Sequence, residues 1–291
     1  MAGEDITRTR ISITRRTARW DPAESVTIAD AMDFWAFAAG AANVIMQLAR
    51  PGVGHGVVES PVDSGNLLKH PWKRARTTFG YLAVAILGTD DDRAAFRTAV
   101  DGAHRQIRSG PQSPVRYNAF DRELQMWVAA CLFVGLEDTY QLLRGEMNPE
   151  QAEQFYTSAA TLGTTLQVTA DQWPATRAEF DDYWDTACAQ IAIDDVVADY
   201  LRDLVNLKMF NPLAAFAFRP LVRFLTVGFL APVFREELGL EWGPGRQRLF
   251  EWLFLLVAFG NRFLPVFIRQ GGSHLLLADV RRRVRTGRPL I

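Results

Sequence analysis

The sequence predicts an all-α fold in a single multi-helix domain, its central helices mostly buried around an apolar pocket. Three observations carry this. Apolar residues recur at helical spacing over most of the chain. Helix-start signals precede most of those stretches. Strand candidates are scarce, no internal repeat stands out, and no Ser- or Gly-rich linker divides the chain. With 291 residues, 48% of them hydrophobic and 22% charged, the chain can bury a sizeable core. Residues 1–25 read as an N-terminal arm and residues 26–291 as the helical domain.

Residues 1–20 alternate polar and apolar around Ile11, Ile13 and Thr14, a pattern that a short strand or an extended arm satisfies equally. Asp21-Pro22 is a helix-start signal. From Thr27 to Ala49 the chain is apolar nearly all round, which predicts one central helix. Pro51-Gly52-Val53-Gly54 reads as its stop, and a loop of turn formers follows. A second helix spans Pro71 to Leu87, with Gly88 as its C′ glycine. Thr89 and the aspartates after it cap the next helix, which carries Phe96, Val100, Ala103, His104 and Ile107 and ends at Gly110-Pro111.

Asn118 is read as the cap of a long helix to Arg144, with Leu124, Trp127, Val128, Cys131, Leu132, Leu136 and Tyr140 at helical spacing. Asn148-Pro149-Glu150-Gln151 combines an N-cap, a first-turn proline and a capping-box glutamine. Its helix runs to Gly163. Thr176 and Glu179 form a second capping box. Asp194 to Leu207 is amphipathic. Residues 212–234 are strongly apolar but interrupted by Arg219, Pro220, Arg223 and Pro232. They predict a pair of buried helices flanking an active-site or lipid-facing wall; a shallow dip into a membrane is the alternative. Gly243-Pro244-Gly245 is a turn before a Phe- and Leu-rich helix that breaks near Gly260 and Pro265. A short basic helix, HLLLADVRRRVR, comes last.

The formal net charge of −1 gives no field to draw nucleic acid. Arginines crowd both ends: Arg8, Arg10, Arg15, Arg16 and Arg19, then Arg281, Arg282, Arg283, Arg285 and Arg288. Solvated termini explain them, and a weak contact with an anionic membrane surface is the alternative. The N-terminus lacks a secretory pattern and no uncharged apolar run is long enough for a spanning helix. A cytoplasmic protein, at most peripheral to a membrane, is expected. Cys131 and Cys188 read as free buried thiols. The four histidines show no local zinc-motif spacing.

Two features carry chemistry. His104 sits among Val100, Ala103 and Ile107, so it is either a neutral core histidine or a metal or haem ligand. One neutral imidazole suffices as the proximal ligand of haem iron, and a helical chain with 19 Phe and 8 Trp can supply the wide apolar slot that haem needs. The second feature is Lys73, Arg74, Arg76 and Thr77. Lys73 and Thr77 share a helix face, while Arg74 and Arg76 point elsewhere. These residues read as a solvated helix start, or as donors in a polar pocket for an oxygen species or a carboxylate. Tyr117 and Trp127 are read as packing residues with polar tips. Asp121, Glu123 and Glu137 are read as solvated. Ser158 lacks the strand–turn–helix setting of a hydrolase nucleophile.

The ordered blocks AAGAANVIMQLARPGVGHGV, KRART, VDGAHRQIRSG, YNAFDRELQMWVAACLFVGLEDTY and LGTTLQV…WPATRAEFDDYWD resemble those of the haem-dependent oxygenase superfamily of latex clearing protein (rubber oxygenase) and the mycophenolic-acid-pathway oxygenase (MpaB-like). The resemblance covers about residues 30–270. It implies a b-type haem between helices, with His104 as the axial iron ligand and Arg74 and Trp127 as further cofactor contacts. It also implies that Lys73, Arg76 and Thr77 are the catalytic residues near the distal pocket, and that dioxygen and an apolar or prenyl-like substrate are the reactants. Three positions depart from the pattern: Lys73 stands for an arginine, Ala129 for a histidine, and Arg50-Pro51 for a His-Pro pair. A polyisoprene substrate is not implied. The alternatives are a non-catalytic helical protein that binds haem or lipid, and a helical partner or membrane-surface protein.

Overall fold

A buried aspartate decides how the chain enters the domain. The computed structural model describes residues 8–13 and 26–291. Within it the stretch after Thr27 is not one helix but two 3₁₀ turns, Ile28–Ala31 and Phe34–Ala39, followed by α1, Gly40–Leu48. Asp33 lies between the turns, 2% exposed. Its Oδ2 accepts from Arg144 at 3.0 Å, Arg269 at 3.1 Å and Asn261 at 3.2 Å. A carboxylate this deep needs such partners, and the backbone turns to deliver it to them.

The Pro-Gly run read as a stop instead opens α2, Pro51–Val58, with Pro51 in the first turn. Its glycines supply room. A Cβ on Gly54 would come within 2.7 Å of the Leu48 carbonyl and 2.9 Å of Val197. Helix α3, Pro71–Leu87, and α4, Asp90–His104, follow as read, the latter behind the Thr89–Asp92 capping box. Gly88 has a φ of −77°, so it is not a left-handed cap; a side chain there would strike the Val84 carbonyl. Helix α5, Arg122–Arg144, is capped by Asp121, not Asn118. Asn118 pairs instead with Arg108 in an isolated antiparallel bridge that closes the preceding loop.

Helix α6, Pro149–Thr157, carries the Asn148–Gln151 box, then breaks before the short α7, Thr161–Thr164. Helices α8, Arg177–Cys188, and α9, Asp195–Val205, start at the caps Thr176 and Asp194. Helix α10, Pro212–Gly228, runs straight through Pro220. Then come α11, Pro232–Glu237; α12, Pro244–Asn261; α13, Val266–Arg269; and α14, Gly271–Arg285. Beyond the Arg108–Asn118 bridge, no strand occurs among the described residues.

Helix α5 is the axis. Its Phe133 meets Phe155, Tyr156, Trp173 and Phe180 with ring centroids 4.7–6.3 Å apart, mostly edge-on. The arm residues that are described dock on it. Arg10 reaches Glu137 at 2.5 Å and Asp138 at 2.6 Å, and Thr9 bonds Asp185 at 2.8 Å. Glu137, expected in solvent, is therefore fully buried, with Arg177 as its second cation. Cys131 and Cys188 are free and buried.

At the surface five terminal arginines meet acids, Arg8 with Glu236, Arg10 with Glu137, Arg281 with Asp92, and Arg282 and Arg283 with Asp279, while Arg8, Arg281 and Arg282 stay exposed to solvent as expected. Arg15, Arg16 and Arg19 lie outside the described residues. Helix α10, expected to be buried, exposes Leu213, Phe216, Phe218 and Leu221; only its last residues, Thr226 to Gly228, are enclosed. No helix among the described residues is long and apolar enough to cross a membrane.

Candidate functional site

Helix α3 presents two chemically different sides. Arg76, half-buried, lies 3.7 Å from Asp279 of α14, and Gly80 lets Val280 of that helix approach to within 3.5 Å of where a Cβ would sit. Burial lowers the Arg76 pKa; nearby Arg283 adds to the lowering, and Asp279 opposes it. Arg74 is two positions earlier and so about 200° around the helix. It remains open to water yet is crowded enough that desolvation lowers its pKa, with Tyr200 of α9 opposing. Tyr81, further along the Arg74 side, bonds the Leu162 carbonyl and packs on Phe96.

His104 closes the last turn of α4, half-buried. Its Nδ1 is 3.4 Å from Nε2 of Gln125 on α5, and Phe120 meets the ring edge-on at 6.1 Å. Desolvation lowers the His104 pKa. The Gln167 side chain opposes this, Arg74 adds to the lowering, and Asp101 opposes it. The net direction favours a neutral imidazole, the form that binds a metal. Gln167 also bonds Asp101, which ties the loop after α7 to α4. Tyr200 has its pKa raised by burial, with Arg74 and the Leu67 backbone opposing. Its hydroxyl is buried without a hydrogen bond of normal geometry among the described residues.

The structure thus brings His104, Arg74, Gln125, Gln167 and Tyr200 into one neighbourhood, fed by α3, α4, α5, α9 and a loop. Of the other residues read from the sequence, Lys73 is half-buried, and its carbonyl accepts from the Thr77 hydroxyl at 2.9 Å. Thr77 itself is buried. Trp127 is placed in the core: it stacks on Trp184 at 5.2 Å, lies under the Arg50 guanidinium at 5.6 Å, and donates from Nε1 to the Gln47 carbonyl at 3.0 Å. It is two residues beyond Gln125, hence on the far side of α5 from His104. Ala129 is fully buried.

Haem demands a neutral imidazole for iron and favours a cation for its carboxylates. His104 and Arg74 fit those two demands. Among the described residues no three His, Cys, Asp or Glu side chains gather as a metal cluster, so the donor set is a single imidazole with amide and phenol neighbours. Gln125, Gln167 and Tyr200 were missed in the sequence because no local pattern links them; only the packing of α5, α9 and the loop on α4 does.

A family model described as the catalytic domain of the ER-bound oxygenase mpaB/B′ and rubber oxygenase matches residues 30–259. The chain belongs to this oxygenase family. Its function class is therefore that of an oxygenase catalytic domain, as the ordered blocks implied. Two uncharacterized proteins, from Mycobacterium bovis and Mycobacterium tuberculosis, are each 50% identical to it over 256 residues, 86% of this chain and 98% of the relative. No solved structure matches the chain.

Proposed function

We propose that this oxygenase depends on haem b and acts with dioxygen on an apolar, prenyl-like substrate. The observation that carries the reading is His104, held toward the neutral form by burial beside Arg74. When bound, the haem would supply the activation of dioxygen. His104 would hold the iron through one ring nitrogen, and the amides of Gln125 and Gln167 would fix the ring's orientation. Arg74 would pair with a haem carboxylate. Lys73, half-buried in the first turn of α3, would hold a polar end of the substrate. The Thr77 hydroxyl donates to the Lys73 carbonyl, so toward a ligand it acts as an acceptor.

Protein prepared with haem supplied is expected to show a Soret band that His104→Ala abolishes, with the helical far-UV spectrum unchanged. Equal spectra for the two proteins, with or without haem, would refute the assignment. Arg74→Gln should weaken haem retention without removing the band.

A second reading is a non-catalytic binder of haem or lipid. It is favoured by the engagement of two expected donors, Arg76 with Asp279 and Thr77 with Lys73, and by Ala129 in place of a polar residue. Haem-dependent oxygen uptake with an alkene-bearing substrate would exclude it.

A further inference from the structure

We infer that the apolar surface of α10, α12 and α13 docks on a membrane surface bearing anionic headgroups. Helix α12 is apolar on two sides. One side, with Phe250, Phe254 and Ala258, is buried in the core. The other carries Leu249, Trp252, Leu256 and Phe259 at alternating three- and four-residue spacing, continued by Phe263, and all five are more than half exposed. A helix apolar all round belongs inside a protein or against lipid, not in water. Its neighbour α10 adds Leu213, Phe216, Phe218 and Leu221, and α13 adds Val266, Phe267 and Ile268. Scattered exposed apolar residues need no explanation, but a row on one helix beside further exposed Phe and Leu side chains on its neighbour does.

Charge chooses the occupant. Exposed ionic residues on α10 and α12, and on the turn after α12, are Arg219, Arg223, Arg246, Arg248 and Arg262. No acid occurs on α10 or α13, and the one acid of α12, Glu251, is buried with Gln247 bonded to it at 2.9 Å. A second copy docked through a twofold axis would set this arginine rim against itself. Anionic headgroups meet it with opposite charge, while Trp and Phe side chains suit the boundary between headgroups and acyl chains. Neither helix is long and apolar enough to span, so the contact is peripheral. The patch reaches toward the candidate site: Trp72, 77% exposed in the first turn of α3, meets Phe210 just before α10 at 5.6 Å. Unlike Arg8, Arg10, Arg281, Arg282 and Arg283, these cations pair with no carboxylate among the described residues, and Arg246 and Arg248 meet only the Glu241 and Pro244 carbonyls there.

The test is flotation of the full chain with vesicles of phosphatidylcholine alone and with a third of phosphatidylglycerol, at low and high salt. Binding to the anionic vesicles that salt weakens is expected. Arg246→Gln with Arg248→Gln should lower partitioning about thirtyfold, from about fivefold per arginine near an anionic surface. Leu256→Gln with Phe267→Gln should abolish flotation while leaving the circular dichroism and the thermal midpoint in place; should that pair unfold, Leu213→Gln with Phe216→Gln gives the same readout on α10. No flotation of the wild type with anionic vesicles, or flotation indifferent to both apolar pairs, would overturn the inference. So would a concentration-dependent dimer on a sizing column that the apolar variants dissolve, since that would make the occupant a second copy.

Discussion

Replacing His55 with leucine should cost stability in a pH window that the structure defines. His55 is 2% exposed on α2. Its Nδ1 lies 2.7 Å from Glu59 and its Nε2 2.6 Å from Asp194, the cap of α9. Burial alone would lower the His55 pKa, but hydrogen bonds to Asp194 and Glu59 outweigh it, and the pKa rises above the ordinary 6.5. Burial likewise pushes Glu59 up, but bonds from His55, Tyr117 and Ser113 hold it below its usual range. Asp194 is lowered first by the Val197 amide, with burial opposing and His55 helping. A raised histidine contributes fully below its unfolded pKa, and the contribution is lost as pH rises through the folded value. Lowered carboxylates contribute above their unfolded pKa and lose it as pH falls through the folded one. The clamp is therefore at full strength between about pH 5 and pH 6.5. Two hydrogen bonds between charged groups are worth about 1.5–3 kcal/mol each. Glu59 and Asp194 are 29% and 48% exposed, so solvent removes about half of that, leaving about 1.5–3 kcal/mol. With a urea slope near 3 kcal/mol per molar, the midpoint of His55→Leu should fall by about 0.5–1 M at pH 6. The gap should narrow by pH 9. A gap that stays constant from pH 6 to pH 9, or no gap at all, would refute the clamp.

Other outcomes follow from the same geometry. Glu137→Ala leaves Arg10 and Arg177 without their shared buried carboxylate and should cost about 3–5 kcal/mol, a fall of about 5–8 °C in Tm by calorimetry for a chain this size. Gly54→Ala, whose Cβ would meet the Leu48 carbonyl and Val197, should destabilise by about 1–3 kcal/mol in urea titration. Gly102→Ala on exposed α4, with nothing within 4 Å of the new carbon, should stabilise by about 0.5–1 kcal/mol. Burial raises both cysteine thiols, well above the ordinary value for Cys131. Neither should react with a thiol reagent at pH 8 until denaturant is added, when both should.

Caps and first-turn prolines were legible because they act within four residues: Thr89, Asn148, Thr176 and Asp194 start helices where the sequence places them. The failures share a cause, which is tertiary contact. Asp33 breaks an apolar stretch because cations from α5 and α13 wait for it, and Gly52-Val53-Gly54 is helical because neighbouring helices need the room. Glu137 looked solvated because its partners lie 127 and 40 residues away. The site divides the same way. His104 was visible within its helix, whereas Gln167 and Tyr200 reach it only through folding.

The family match ends at residue 259, yet α14 lies entirely beyond it and runs along α3. Helix α14 is thus a splint for the element that carries Arg74. A chain cut at that boundary would keep every residue of the candidate site and still lose the brace that sets its angle. Substitutions at Asp279 or Val280, remote from His104, would then be felt at the pocket as a roll of α3 about its own axis.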